Sequence, residues 1–591
     1  MEFTREEHIK FLDLELKEQT QQYISKIQTS AIALLEKDEI YSTQFVKFEN
    51  GQLILKFKND RGIPRKNEYL TAVLISDEKS SYKNWENITW AELRKKYQVE
   101  FSEAVCIWHS FSDDKKFSIA GFRGISLDFA EKLIDKCIVL LGPKEPPYQY
   151  IQNLIKVVNK TPINSDSAKI LDFDIENNVW APIKLEKREQ IKNLPLSQLS
   201  LSKEIIIQGP PGTGKTFLMS EITAKLLAQN KSVLVTSLTN RALIELVSKP
   251  ALKPFLEQEK VFKTNLTIDE KNEVPALLNT NEIVCSPSCL SLATFYISSS
   301  LSAEIPSIPP FDYLIMDEAS QALLAMFAAS KLIAKHIIWI GDPYQLPPVV
   351  AIKEDIIKKR KLNYLIKGMN TVCENISVPS YQLVQSYRLT NRAVKYTGVF
   401  YKNSLMSSSP KDYKLSYTNL DFDVSKYLNP KGGPTLIKTK LPIGDAKPEF
   451  GIYLILSFIF QLQPLKKGKI EISILTKLKK TVKEIQKGIA NTIENQANVL
   501  VDTIERVQGL TNDITIFFIP NSMLDLSLDR ALFNVATSRA KGQTLIIMDK
   551  ETLNYPYMDK EVKTYLKQLD NDFSFEIEPS FNYKKIQNAS T

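Results

Sequence analysis

The order of apolar and polar positions divides the first 180 residues into a long helix, a group of short strands and a second helix. Between Ile9 and Leu34, apolar residues recur at three-, four- and seven-residue steps, which predicts one helix over residues 4–36. Such a helix is about 50 Å long at 1.5 Å per residue, so we expect a strut. The short runs around Asn50 and Gly51 predict a hairpin within a small β-barrel of about five strands. A second helix is predicted over residues 126–141, before a proline-rich break.

Beyond residue 180 the pattern changes to short apolar runs that are separated by helical stretches. This alternation predicts a doubly wound parallel sheet, which binds ligands at the carboxyl ends of its strands. The runs that predict its strands are residues 205–207, 232–236, 282–285, 313–316 and 337–340. Two later runs, residues 472–476 and 544–548, predict further strands.

The first of these strands leads into a loop that matches the phosphate-binding pattern G-x-x-x-x-G-K-[ST], and a helical pattern follows it. Glycines allow backbone N–H groups to surround phosphate oxygens, and a helix N-terminus adds positive potential. Lys215 is predicted to reach the β- and γ-phosphates, and Thr216 to offer its hydroxyl to Mg²⁺. The predicted ATP-binding residues of this loop are Gly209, Pro210, Pro211, Gly212, Thr213, Gly214, Lys215 and Thr216. Taken alone, the loop also fits a kinase, a GTPase or a transporter ATPase.

Candidate catalytic residues follow two other strands of the same predicted sheet. Asp317 and Glu318 come directly after the run 313–316. Asp317 is predicted to hold Mg²⁺, and Glu318 to orient or deprotonate the attacking water. Gln345, within GDPYQLPP at residues 341–348, is placed to sense the γ-phosphate.

Composition limits the class of protein without choosing the function. A chain of 591 residues is too long for one core, and three or four domains are expected. The contents of 43% hydrophobic and 24% charged residues are typical of a globular protein, and the net charge of +8 is compatible with a polyanionic partner. The five cysteines lack the spacing of a zinc or iron–sulfur site. We find no signal peptide and no apolar run long enough to span a membrane, and a cytoplasmic location is expected.

The segments GPPGTGKT, DEASQ and GDPYQLPP, in this order, resemble motifs I, II and III of superfamily 1 helicases. The DEAS form of motif II resembles the 1B branch, which includes the nonsense-decay and senataxin-type helicases. The resemblance implies an α/β fold with two RecA-like P-loop motor domains, an N-terminal helical stalk and a small β-barrel. It covers residues 185–550 by motifs and residues 1–180 by architecture alone. The family's second insertion, after motif Ia, has little room here.

The implied domain layout has six parts. They are a stalk helix (1–38), a small β-barrel (39–125), a return stalk helix with linker (126–180), domain 1 (181–380), domain 2 (381–550) and a C-terminal tail (551–591).

The resemblance also implies site residues that spacing alone does not indicate. Gln190 is expected to read adenine, Tyr387 to stack on it, and Arg388 and Arg539 to contact phosphate from domain 2. Motif V supplies Gln508 and Gly509, but Thr511 stands where the family usually has glutamate, which puts the ribose contact in doubt. The residues that match nucleic-acid contacts are Thr236, Ser237, Asn240, Ser288, Thr476 and Thr503.

The function implied is an ATP- and Mg²⁺-dependent helicase or translocase that moves 5′ to 3′ on single-stranded DNA or RNA and unwinds duplexes. The alternative is a nucleic-acid-stimulated ATPase switch or clamp that recruits a partner without unwinding. A P-loop enzyme acting on small molecules is a third class, against which the two arginines from a second domain argue. The sequence identifies neither DNA nor RNA as the substrate, nor a protein partner such as a nuclease or a repair or defence component.

Overall fold

A computed structural model describes most of the chain. The described residues are 2–58, 62–64, 68–76, 85, 87–111, 117–174, 180–186, 197–199, 201–408, 422–462, 470–492, 499–507 and 509–579. Two of the predicted site residues, Gln190 and Gln508, lie outside them.

The stalk consists of two antiparallel elements that pack on domain 1. Its first helix, Arg5–Ile27, packs against the helix Tyr148–Lys160. The predicted helix over residues 4–36 is therefore wrong in its second part, because the chain breaks and restarts as Ala31–Glu36. The cause is local: the Ser30 hydroxyl accepts a hydrogen bond from Ala33 N at 3.2 Å and caps a new helix.

Six antiparallel strands close the small barrel, one more than the sequence predicts. They are Tyr41–Glu49, Gln52–Lys58, Tyr69–Ile75, Gln98–Phe111, Phe117–Arg123 and Ile138–Pro143. The predicted helix over residues 126–141 is wrong: a short helix, Leu127–Glu131, is followed by the closing strand Ile138–Pro143. This strand is apolar on both sides, because Val139 and Leu141 fill the barrel while Leu140 packs under the helix Trp90–Tyr97. A run of this kind has no periodicity that separates strand from helix.

Domain 1 is built on nine parallel strands, as the predicted parallel sheet requires. In spatial order they are Leu278–Thr280, Val261–Thr264, Leu290–Thr294, Val233–Ser237, Phe311–Met316, Ala334–Gly341, Glu204–Gln208, Ser380–Leu383 and Ile183–Leu185. The main helices around them are Lys215–Ala228, Asn240–Val247, Phe295–Ala303, Leu324–Ile333 and Gly368–Asn375. The strand predicted at 282–285 is wrong, because Pro287 and the left-handed Ser288 (φ 60°) delay the strand until Leu290.

Domain 2 contains a second parallel sheet of six strands. In spatial order they are Val499–Thr503, Ile472–Thr476, Asn512–Ile519, Ala540–Asp549, Gly433–Thr439 and Ser574–Ile577. Its helices include Asn391–Thr397, Glu449–Gln461, Lys479–Thr492, Arg530–Thr537 and Lys560–Asp572. The helix Lys560–Asp572 and the edge strand Ser574–Ile577 lie in the predicted tail, so part of that tail completes domain 2.

The barrel docks on a small segment of domain 1, residues 249–280. Asp269 Oδ1 accepts a hydrogen bond from Gly124 N at 2.9 Å, and Ile268 N donates to Ile125 O at 3.0 Å. A buried ion pair between Lys263 and Glu270 (3.0 Å) orders this segment from inside. Within the described part of the chain, no helix combines the length and the apolarity needed to cross a membrane.

Candidate active site

The phosphate loop, residues 209–216, lies at the carboxyl end of the central strand Glu204–Gln208. That strand is held between Ala334–Gly341 and Ser380–Leu383, and Gly209 N donates to Gly341 O at 2.9 Å. Gly212 (φ 72°) and Gly214 (φ 79°) adopt left-handed conformations that favour glycine. The 14-residue helix Lys215–Ala228 begins directly afterwards, so its N-terminus lies at the loop. This is the arrangement that binds phosphate.

Lys215 lies across the phosphate loop, where its ammonium group donates to Gly209 O. Burial lowers the pKa of Lys215, the nearby Asp342 and Asp317 raise it, and the nearby Arg388 and Arg539 lower it further. The lysine from domain 1 and the two arginines from domain 2 therefore share one site.

The two adjacent acids follow the strand Phe311–Met316, as predicted. Asp317 N donates to Thr236 O at 2.8 Å, and Asp317 Oδ1 accepts from Glu318 N at 2.8 Å. Glu318 has a left-handed backbone (φ 52°), which is rare for a residue other than glycine and is typical of functional sites.

The environment sets the acid–base properties of these acids. Burial raises the pKa of Asp317 to about 6, and burial together with the charge of Asp317 raises the pKa of Glu318 to about 7. A carboxyl group with a pKa near neutrality is suited to take a proton from water.

Asp342 organises the sensor loop, which we define as residues 342–353. The carboxylate is 2% exposed and accepts hydrogen bonds from Gln208 Nε2 (3.2 Å), Gln345 Nε2 (3.0 Å) and Tyr401 OH (2.6 Å). Sequence reasoning identified Gln345 but missed Asp342. The signal was present, because Asp342 is an acid directly after a buried strand, as Asp317 is.

Tyr401 and Asn534 connect the Asp342 carboxylate to domain 2. Asn534 Nδ2 donates to Tyr401 OH at 2.7 Å and to Tyr344 O at 3.0 Å. Asn534 belongs to the helix Arg530–Thr537, which leads directly to Arg539. A continuous chain of hydrogen bonds therefore joins Gln345 to the helix that precedes Arg539.

The segment 385–388 binds the phosphate loop from the domain 2 side. Ser386 Oγ donates to Pro211 O at 3.0 Å, and Tyr387 N donates to Gly212 O at 2.8 Å. A Cβ atom at Gly212 would lie 2.4 Å from Arg388 Cβ, so the two segments approach as closely as glycine permits. The Tyr387 ring is 54% exposed, which leaves its face open for a base.

Two arginines complete the site: Arg539 is 2% exposed, and Arg388 is half-buried. Arg388 Nη1 donates to Ser538 O at 3.3 Å, while Arg539 donates through Nε to Val535 O (3.0 Å) and through Nη1 to Leu510 O (3.3 Å). Burial lowers the pKa of Arg388 to about 10, and burial with the charge of Arg388 lowers that of Arg539 to about 9. A polyanion between these groups would favour their charged forms.

These residues fit the triphosphate of ATP with Mg²⁺. The glycine loop, the helix N-terminus and three cations suit the phosphates. Asp317 and Thr216, the second residue of the helix Lys215–Ala228, are the hard oxygen ligands that Mg²⁺ prefers.

The predicted nucleic-acid contacts in domain 1 divide into exposed and buried residues. Asn240 is exposed at the start of the helix Asn240–Val247. Thr236 and Ser237 are buried: Thr236 Oγ1 lies 2.9 Å from Ser298 Oγ, and Ser237 Oγ donates to Glu318 Oε2 at 3.3 Å. Ser237 therefore contacts the candidate catalytic acid Glu318.

The remaining predicted contacts lie at opposite edges of the sheets. Thr476 and Thr503 are buried neighbours at the carboxyl ends of paired parallel strands. Ser288 precedes the strand Leu290–Thr294 and lies at the amino edge of domain 1, where its hydroxyl donates to Leu227 O at 2.9 Å. The carboxyl end of that strand is Thr294, in register with Ser237. Thr294, which was not among the predicted contacts, is the polar residue that ends the strand Leu290–Thr294.

Comparisons with known proteins cover both halves of the site. One family model described as "AAA domain" matches residues 186–267 and 249–353, and a second with the same description matches residues 367–551. A solved structure described as "The structure of PRRSV helicase" covers 67% of this chain and 69% of its own, with a TM-score of 0.32 and 15% identity, which is too distant to inform the function.

Two relatives match more than half of this chain. The DNA replication ATP-dependent helicase/nuclease dna2 of Schizosaccharomyces pombe is 25% identical over 396 residues, which are 59% of this chain and 27% of that protein. The human DNA replication ATP-dependent helicase/nuclease DNA2 is 24% identical over 451 residues, 66% of this chain and 40% of that protein. The chain thus spans less than half the length of these relatives. The family matches and the relatives show that the chain belongs to the superfamily 1 helicases.

Proposed function

We propose that the protein is an ATP-driven motor that moves 5′ to 3′ along a single strand and separates duplexes. The observation that carries this proposal is the contact of segment 385–388 with the phosphate loop, through Ser386 and Tyr387. Because phosphate contacts come from both domains, binding and release of phosphate would favour closed and open arrangements in turn. Such a cycle is what a stepping motor needs.

Hydrolysis at this site would use the residues of both domains. Lys215, Arg388 and Arg539 hold the phosphate oxygens and stabilise the charge that develops on the transferred group. Glu318 takes the proton of the water that attacks the γ-phosphorus, and the bond to the bridging oxygen of the ADP leaving group breaks. Gln345, held by Asp342, orients that water or the γ-phosphate. Mg²⁺, held by Thr216 and Asp317, would neutralise charge between the β- and γ-phosphates.

The nucleic-acid strand would run along the carboxyl edges of the two sheets. Asn240 and Thr294 lie at that edge in domain 1. In domain 2, Lys479 and Lys480 are exposed in the first turn of a helix, where the helix macrodipole disfavours cations. Because an anion would offset this unfavourable arrangement of charge, lysines at this position favour an anionic ligand such as the phosphate backbone of a nucleic acid.

The relatives are named as DNA replication proteins, so DNA is the first substrate to test. The test measures ATP hydrolysis with single-stranded DNA and RNA in parallel, followed by unwinding of duplexes with a 5′ or a 3′ tail. We expect stimulation by DNA and unwinding of the 5′-tailed duplex. Unwinding of the 3′-tailed duplex alone would contradict the polarity. Stimulation that persisted in Lys215→Ala would contradict the proposal as a whole.

A clamp or switch that binds a strand and recruits a partner is the second candidate. Thr511, at the usual position of a motif V glutamate, favours it, because a weaker nucleotide contact would slow the cycle. ATP hydrolysis stimulated by single strands, without separation of either tailed duplex, would support this candidate against the motor.

A further inference from the structure

Glu15, a buried carboxylate of the stalk, binds the distal end of the sensor loop. Glu15 is 1% exposed, although acids of this kind are rarely buried without partners. Ala351 N donates hydrogen bonds to Glu15 Oε1 (2.8 Å) and Oε2 (2.9 Å). Ile352 N donates to Oε2 at 3.1 Å. Gln19 Nε2 donates to Oε1 at 2.6 Å. The stalk therefore supplies the hydrogen-bond partner of two backbone amides in the loop that carries Gln345.

The proximal end of the same loop is held by domain 2. Asp342 binds Gln345 and Tyr401, as described above. Pro347 and Pro348 lie between Gln345 and the amides that bind Glu15, and proline fixes the backbone angle φ. A stiff segment between two anchors transmits a displacement of one anchor to the other.

The stalk connects Glu15 with the barrel. Arg5 binds Asp172 at 2.7 Å near the base of the first helix, and Phe11 packs in the domain 1 core. At the far end, Ala31 N donates to Ile88 O of the barrel subdomain at 2.8 Å. From residue 15 to the end of the helix the distance is about 18 Å at 1.5 Å per residue. Glu15 therefore lies on the helix between the barrel and domain 1.

We propose that Glu15 is a positioning residue that couples the stalk and barrel to the ATP site through the sensor loop. The barrel docks just beyond the carboxyl end of Val261–Thr264, at the edge of domain 1 along which the nucleic acid would run. In this proposal, nucleic acid that contacts the barrel there shifts the stalk, Glu15 shifts Ala351 and Ile352, and the loop brings Gln345 into its active position. The inference rests on the proposed function, because it concerns the stimulation of ATP hydrolysis by nucleic acid.

The test uses the full chain with Glu15→Gln, Glu15→Ala and, as the matched control, Gln19→Ala. Glutamine keeps the size of the side chain but offers one acceptor oxygen instead of two. Gln19→Ala removes a partner of Glu15 and leaves the contacts with the loop in place. ATP hydrolysis is measured over a range of ATP concentrations with and without saturating single-stranded DNA or RNA. Strand affinity is measured by fluorescence anisotropy, and amide hydrogen exchange is followed at Ala351 and Ile352.

We expect the stimulated kcat to fall about tenfold or more in Glu15→Ala and less in Glu15→Gln, since small misplacements of positioning groups cost rates of this size. The basal kcat, the KM for ATP and the strand affinity should stay within about twofold of the wild type. Exchange at Ala351 and Ile352 should accelerate in both variants, and Gln19→Ala should keep the wild-type stimulation.

Two results would overturn the inference while the proposed function stands. One is wild-type stimulation in both Glu15 variants, and the other is an equal fall of basal and stimulated rates, which a purely structural role would cause. If neither DNA nor RNA stimulates the wild type, the proposed function fails and the coupling role of Glu15 fails with it.

Discussion

The two halves of the proposed nucleotide site are built in different ways. In domain 1, Asp317 directly follows a buried strand, and Lys215 lies seven residues after the end of another. In domain 2, Arg388 and Arg539 are 151 residues apart in sequence, and Arg388 reaches Ser538 O only because the fold brings the segments together. The first half depends on local backbone geometry, and the second depends on how the domains meet. The first half should therefore govern nucleotide binding, and the second should govern turnover.

The largest loss of activity is expected for a substitution in the domain 1 half of the site. Lys215→Ala removes the ammonium group from the phosphate loop, so kcat/KM for ATP should fall by about 10⁴-fold, through loss of both binding and charge stabilisation. Steady-state ATP hydrolysis and nucleotide-binding titrations measure the two contributions. Lys225→Ala, in the last turn of the same helix, is the control and should retain both. If Lys215→Ala bound ATP as the wild type does, the phosphate loop would not govern binding.

A substitution in the domain 2 half should affect the turnover of ATP and not its binding. Arg539→Ala should lower kcat by about 10³-fold, the lower end of the range for arginine fingers, and leave the affinity for ATP nearly unchanged. Arg539→Lys keeps the charge but not the planar fork that reaches Val535 O and Leu510 O, so we expect partial recovery. The measurement is single-turnover hydrolysis beside a binding titration. A loss of affinity equal to the loss of rate would contradict the division between the two halves.

The same difference explains what the sequence could predict. The phosphate loop and the acids after strand Phe311–Met316 were predictable because each motif specifies its own local geometry. Arg388 and Arg539 were identified only through a family resemblance. Asp342 was missed although it directly follows a buried strand, because its partners Gln208 and Tyr401 are distant in sequence and only the fold shows that they meet at this carboxylate.

The errors in the fold have physical causes as well. The strand Ile138–Pro143 was predicted as helix because it is buried on two faces and shows no alternation. The stalk helix was predicted too long because the apolar pattern continues without interruption past Ser30. The cap at Ser30 involves a single turn and leaves no mark on that pattern. The contact between Glu15 and Ala351 joins residues 336 positions apart, so a sequence pattern does not reveal it.

The pH dependence should show which acid limits turnover. Burial and Asp317 raise the pKa of Glu318 to about 7, and the base must be deprotonated. The kcat/KM for ATP should therefore fall about tenfold per pH unit below pH 7 and level off above it. Stability should change with pH in the opposite direction to activity. A carboxyl group whose pKa is raised on folding stabilises the fold at low pH, and this contribution is lost as the pH rises toward 7.

Glu318→Gln tests this assignment. The variant should lose most of the activity and the dependence of the residual rate on pH near 7. It should also reduce the change in stability between pH 5 and 7, to which Asp317 contributes as well. Denaturant unfolding and steady-state kinetics over the same pH range provide both measurements. An unchanged pH profile in Glu318→Gln would assign the titration to another group.

The smallest effect is expected where the two halves are joined through the hydroxyl group of Tyr401. Tyr401→Phe removes the hydroxyl that donates to Asp342 at 2.6 Å and accepts from Asn534 at 2.7 Å. Because both partners stay buried, the free energy of unfolding should fall by about 1–3 kcal/mol. Since Asp342 also holds Gln345, kcat should fall about threefold to tenfold with little change in KM.

Tyr396→Phe provides the matched control, since its hydroxyl binds Asp572 within domain 2 and takes no part in the site. It should lower the stability in urea unfolding and leave kcat at the wild-type value. If both variants lowered kcat to the same extent, the loss would follow from stability in general. If only Tyr401→Phe did so, the hydrogen bonds between the sensor loop and domain 2 contribute to turnover, and the binding half and the turnover half of the site meet at Asp342.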